Sequence, residues 1–100
     1  MIQLPDIAPG ETPVITFKFG REMLPGETLA SCSVFVAVVA GVDPNPQGIL
    51  FQQVDMSQPP NALQQIRPTI DGVTYLLVAK GTLNTTRVIF RQGQIRVALR

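Results

Sequence analysis

The chain contains no histidine and no tryptophan, one cysteine (Cys32) and one tyrosine (Tyr75). Without histidine, the commonest general base and the commonest metal ligand are both missing. A single cysteine forms no internal disulfide and no thiolate zinc site. Within its apolar run, Cys32 reads as a small buried hydrophobe. Charged residues make up only 15% of the chain, well below the usual quarter. The net charge of +1 gives no field to attract nucleic acid or an anionic membrane. No apolar run reaches the 18 residues that suggest a membrane-spanning helix. The opening MIQLPDIAPG lacks the basic region and apolar core of a signal peptide, so production in the cytoplasm is expected.

What remains is a chain of 100 residues, 45% hydrophobic, enough for one domain with a real core. Its surface must be rich in Gln, Thr, Ser, Asn and Pro, which suits a protein largely covered by neighbours. Nine prolines and eight glycines divide it into short segments. Residues 1–12, with Pro5 and Pro9, read as an extended arm, because proline removes ladder donors. Residues 13–100 read as a single β-sandwich domain. In PVITFKF, Ile15, Phe17 and Phe19 face one way and Val14, Thr16 and Lys18 the other, the period of a half-buried strand. Leu24 is expected to plug the core from the following connector, beside a Pro25-Gly26 turn.

Leu29 to Ala40 alternates Val34, Val36 and Val38 with Phe35, Ala37 and Val39. Both faces are apolar, which predicts a central strand or one covered by a partner. A proline-stiffened loop follows at 41–48 (GVDPNPQG), then a short strand at 49–54, a second loop, and an edge strand at 63–70 interrupted by Pro68. After an Asp71-Gly72 turn, residues 73–82 form a strand with Tyr75, Leu77 and Ala79 on one face. Asn84-Thr85-Thr86 makes a hairpin connection to a last strand, 87–99, with a bulge at Gly93. The pattern predicts an all-β sandwich of about seven antiparallel strands.

Nothing in the chain assembles a reaction centre. Ser31, Cys32 and Ser33 have no local base. The carboxylates Asp6, Glu11, Glu22, Glu27, Asp43, Asp55 and Asp71 sit mostly beside Gly or Pro, which reads as turn-making and solvation. No Asp-x-Asp-x-Asp ladder suggests calcium, and no Gly-rich loop suggests phosphate. Neither enzyme activity nor a cofactor is expected. Arg87, Arg91 and Arg96 lie along the last strand, as a solvated or ion-paired face or as contacts to a partner. Phe90, the one aromatic among them, is assigned to the core, so stacking on nucleic-acid bases is not expected.

Two features point further. Gly72 and Tyr75 invite comparison with the tyrosine corner of immunoglobulin-like folds, although the disulfide and core Trp of true immunoglobulin domains are absent. Three blocks, in order, resemble a family of small tailed-phage proteins. They are Gly26-Glu27-Thr28-Leu29 leading into a Ser-rich strand, Gly41-Val42-Asp43-Pro44-Asn45-Pro46 with Ile49-Leu50, and Gly72-Val73-Thr74-Tyr75-Leu76-Leu77. An Asp-Trp pair common in that family is replaced here by Lys18-Phe19.

The resemblance implies an immunoglobulin-like virion component without catalytic activity. It would be a fibre–tail adaptor at the head–tail connector or tail, present in many symmetric copies. Portal, tail or fibre subunits would be its partners, with no nucleic acid or membrane involved. A capsid decoration protein is the alternative, and a surface carbohydrate-binding module a more distant one, because sugar sites usually present exposed aromatics. The expected contact surfaces are the arm (Ile2, Leu4, Pro5, Pro9), the loop carrying Asp43, Pro44, Asn45 and Pro46, and Arg87, Arg91 and Arg96. Gly72 and Tyr75 are expected to be structural.

Overall fold

The computed structural model describes residues 2–3 and 6–98. The described chain is all-β. Its strands are β1 (Ile2–Gln3), β2 (Val14–Lys18), β3 (Leu29–Ala40), β4 (Asn61–Gln65), β5 (Thr74–Leu83) and β6 (Val88–Arg96), with two 3-10 turns at Gly20–Glu22 and Pro46–Ile49. One sheet has the order β1-β6-β5-β3, and the other pairs β2 with β4. All pairs are antiparallel except β1, which runs parallel to β6. The expectation of about seven antiparallel strands is therefore corrected to six described strands, one of them parallel.

The inward faces of both sheets share one core. β2 contributes Ile15 and Phe17, and Phe19 directly after it continues the same period of two; β4 contributes Ala62. From the larger sheet come Val34, Val36, Tyr75, Leu77, Ala79, Ile89 and Ile95. Two strands alone are marginal in water, so β2–β4 persists through this apolar contact with the larger sheet. A close approach occurs at Gly81, where a Cβ would lie 2.8 Å from Cε1 of the fully buried Phe19 ring. Glycine inside a strand here makes room for that ring.

Several sequence expectations are corrected by turn chemistry and pairing. Among the described residues, β3 is an edge strand, with β5 as its one strand neighbour. Residues 49–54 form no strand. Pro46 opens a 3-10 turn, Gln52 takes φ 71°, and contact with the ladder is confined to isolated bridges of Leu50 to Ile66 and Asp55 to Leu63. The buried Gln64 side chain replaces the missing ladder there, its Nε2 donating to the carbonyls of Gln52 (3.1 Å) and Gln65 (2.7 Å). The strand expected at 63–70 ends at Gln65. Leu24 is 59% exposed, and Met23 packs on the core instead. Gly93 sits in unbroken register with Leu77, without a bulge. The Pro25-Gly26 turn forms, with Gly26 at φ +84° and the Glu27 amide bonded to the Leu24 carbonyl.

Replacement of Gly81 by alanine should destabilise the protein by about 1–3 kcal/mol through overpacking against Phe19. The double variant Gly81→Ala/Phe19→Leu should recover part of that loss. Urea denaturation of the two variants measures both effects.

Candidate interaction surface

The residues expected at contact surfaces are largely engaged within the chain. The Arg87 guanidinium grips Glu27, donating from Nη2 to Oε1 (2.8 Å) and from Nε to Oε2 (3.0 Å). The Leu24 amide and the Thr85 hydroxyl donate to the same carboxylate. Asn84 completes the clamp, its side-chain oxygen accepting from the Thr28 amide and its own amide donating to the Thr28 carbonyl. The β5–β6 hairpin tip is thereby locked onto the loop before β3. Glu27 is not a solvated turn residue, as the sequence suggested: its side chain is only 4% exposed. The Arg87 pair, the Thr85 hydroxyl and the Leu24 amide hold its carboxyl near about 2, against an ordinary value of 4.5.

Arg91 spans the two sheets. It donates from Nε to the Lys18 carbonyl (3.0 Å), pairs with Glu22 (3.1 Å), and lies over the Phe19 ring at 5.9 Å. Arg96 pairs with Asp6. The N-terminal segment lies along β6. The Ile7 amide donates to the Arg96 carbonyl (3.1 Å), the Ala98 amide to the Ile7 carbonyl (2.8 Å), and Ile7 is buried. Ile2 belongs to β1 by its backbone. Leu4 and Pro5 lie outside the described residues. Pro9 is half-buried before the turn at Gly10.

In the 41–48 loop, Asp43 accepts the Tyr75 hydroxyl (2.6 Å) through Oδ2 and the Asn45 amide (2.9 Å) through Oδ1. Tyr75 is buried at the start of β5 and bonds to a side chain across the loop, where a tyrosine corner bonds to nearby backbone. Burial, then the Asp43 carboxylate, pushes its hydroxyl upward in pKa. Gly72 turns the chain at φ +83°. Gly41 packs so closely there that a Cβ would meet the Gly72 carbonyl at 2.8 Å. Pro44 and Asn45 are exposed, and Pro46 is half-buried in the 3-10 turn.

The surface with few internal partners includes the outer face of β3, the strand whose two apolar faces suggested a central place or a covering partner; of the site residues expected from the sequence, Arg96 lies on this face. Among the described residues, none forms a layer on the outer face of the larger sheet. Phe35 (51% exposed) and Phe90 (55%) project there with Val39 and Val88, corrected from the core position expected for Phe90. Cross-strand register joins them: Phe35 opposes Val78, Ala37 opposes Leu76, and Phe90 opposes Lys80. Lys80 is the single charge among these positions. Parity carried the signal for Phe90. Ile89, Ile95 and Val97 are buried, so an even-numbered residue on the same strand must point outward.

Among the described residues, no group of three or more His, Cys, Asp or Glu side chains could hold a metal ion. Among the same residues, no helix is long and apolar enough to cross a membrane. No protein-family model matches the chain, and no curated protein matches it.

The Glu27 clamp has a pH signature. A carboxyl whose folded value is depressed contributes stability that is complete above its unfolded value near 4.5 and is lost as pH falls towards about 2. The urea midpoint should fall across that window, and Glu27→Gln should flatten the fall, as measured by denaturation at a series of pH values.

Proposed function

We propose that the protein is a noncatalytic virion component of a tailed phage, an adaptor that holds fibres or neighbouring subunits at the head–tail connector or tail. The observation that carries this reading is the outer face of β3, β5 and β6. It presents Phe35, Val39, Val88 and Phe90, is rigidly backed by the core, and carries Lys80 near its middle and Arg96, paired with Asp6, at the end of β6. Contiguous exposed apolar surface of this kind marks association rather than catalysis. The three sequence blocks supply the phage part of the reading.

The strand order supports an immunoglobulin-like arrangement for this module. In that fold the second and fifth strands are neighbours in one sheet, and the third, sixth and seventh lie in order in the other. β2 beside β4, and β3-β5-β6, fit those places. The Leu50–Asp55 segment, bridged to the β4 side, fits the place of the fourth strand.

The arm, the proline loop and the three arginines support this function indirectly, by making the sandwich stiff, while the bare sheet face meets the partner. A decoration protein on the capsid would use the same face. Copy number separates the two. Density for the chain in cryo-electron microscopy of purified particles, confined to the connector or tail, is the expected result; a lattice-wide distribution would make it a decoration protein, and absence from the particle would overturn the virion reading. The double variant Phe35→Ser/Phe90→Ser should keep the folded circular dichroism spectrum and lose incorporation into particles, as read by quantitative immunoblotting.

A further inference from the structure

β3 has an open edge, and the chain treats its other sheet edges differently. Within β5, the odd-numbered residues bond to β6, as the Leu83 amide on the Arg87 carbonyl shows. The even-numbered residues Lys80, Val78 and Leu76 therefore bond to β3, at Ser33, Phe35 and Ala37. The backbone groups of Cys32, Val34, Val36 and Val38 consequently point away from the sheet. The Val36 amide confirms that direction, since it donates to Oε1 of Gln47.

On β6, by contrast, several of the outward groups are occupied. The Phe90 carbonyl accepts from Arg91, the Arg96 carbonyl accepts from Ile7, and β1 covers Gly93 and Gln94. Arg91 also takes the Lys18 carbonyl of β2. Among the described residues, the side chain seen to guard the β3 edge is that of Gln47, at Val36. Beside Cys32 and Val34, a groove of about 430 Å³ separates that edge from the 50–56 segment, and every residue lining it is uncharged.

Exposed strand edges are ordinarily blunted with lysine, proline, inward charges or short length. β3 has no proline and no charge, and between the irregularities near its two ends it pairs regularly over residues 31–38. We propose that its occupant is the β3 edge of a second copy, paired antiparallel about a twofold axis. The absence of charge argues for self-pairing, because a twofold axis sets the edge against an identical edge and like charges near the axis would repel.

Gln47 sets the register. Its hold on Val36 leaves the stretch N-terminal to that residue for the new ladder. Centring the axis on Ser33 makes Cys32 and Val34 exchange backbone hydrogen bonds with Val34 and Cys32 of the other copy. Ser33 then faces its own copy as a non-hydrogen-bonded pair. The two larger sheets join into one, and the apolar outer faces become continuous across the axis. This association stands apart from the virion reading and is tested on the isolated chain.

The test is sedimentation equilibrium at roughly 100 µM, where even micromolar affinity populates a dimer well. The wild-type chain should sediment at twice its 10.9 kDa mass. Ser33→Lys and Ser33→Asp, both at an exposed position, should each weaken the dimer at least about tenfold by placing like charges opposite one another. An equimolar mixture of the two should restore it. Circular dichroism confirms that each variant is folded. As an independent readout, Cys32→Ser/Ser33→Cys should give a disulfide-linked dimer on mild oxidation, since directly opposed non-hydrogen-bonded residues lie about 4.5 Å apart at Cα, within disulfide reach. A wild-type monomer at this concentration would overturn the proposal. So would a dimer indifferent to Ser33→Lys, which would assign association to another surface.

Discussion

The fold depends on one close approach between its sheets, the Phe19 ring resting where a side chain at position 81 would be. The β2–β4 pair has too few strands to persist alone. Its hold on the rest of the molecule comes from Ile15, Phe17 and Phe19 entering the core of the larger sheet. Gly81 lets the last of these come within contact of the β5 backbone. Arg91 covers the same ring from the side and bonds to the Lys18 carbonyl, so apolar packing and a charged strap act at one place. A buried ring contributes mainly through area removed from water, and the strap mainly fixes geometry.

From this asymmetry the exposed surface follows. The smaller sheet covers one face of the larger, and none of the described chain covers the other. The charged groups are spent on internal ties. Arg87 joins the hairpin to the Glu27 loop, Arg91 joins β6 to the 3-10 turn at Gly20–Glu22, and Arg96 holds Asp6. Those ties stiffen the ends of the sandwich and leave its broad face close to neutral. A rigid, apolar, weakly charged face loses little entropy on association and repels few partners. These are the physical properties on which the adaptor reading and the β3 edge pairing rest.

Much of the local structure was legible because it follows from periodicity. Ile15, Phe17 and Phe19 declared the buried face of β2, and Tyr75, Leu77 and Ala79 that of β5. Turns at Gly26 and Gly72 were legible because each needs a positive φ that glycine tolerates. Strand order was not legible. The two apolar faces of β3 fit a central strand equally well, and its edge position depends on pairing between distant segments.

The 49–54 segment looked like a strand by composition and was broken by Gln52 and the 3-10 turn. Its compensation, Gln64, was visible only as a polar residue sharing a face with Ala62 and Ile66. For the candidate surface, attention went to arginines and prolines. Arginine identity does not reveal whether a carboxylate waits nearby in space, and Glu27, Glu22 and Asp6 all do.

The most direct test of the account is amide hydrogen exchange along β3, followed by NMR in dilute and concentrated solution. The account predicts slow exchange at Ser33, Phe35 and Ala37 under both conditions, because these amides bond to β5. Cys32 and Val34 should exchange fast when dilute and slow when concentrated, as a second edge covers them. Fast exchange at Cys32 and Val34 at every concentration would contradict the paired edge, and fast exchange at Ser33, Phe35 and Ala37 would contradict the sheet itself.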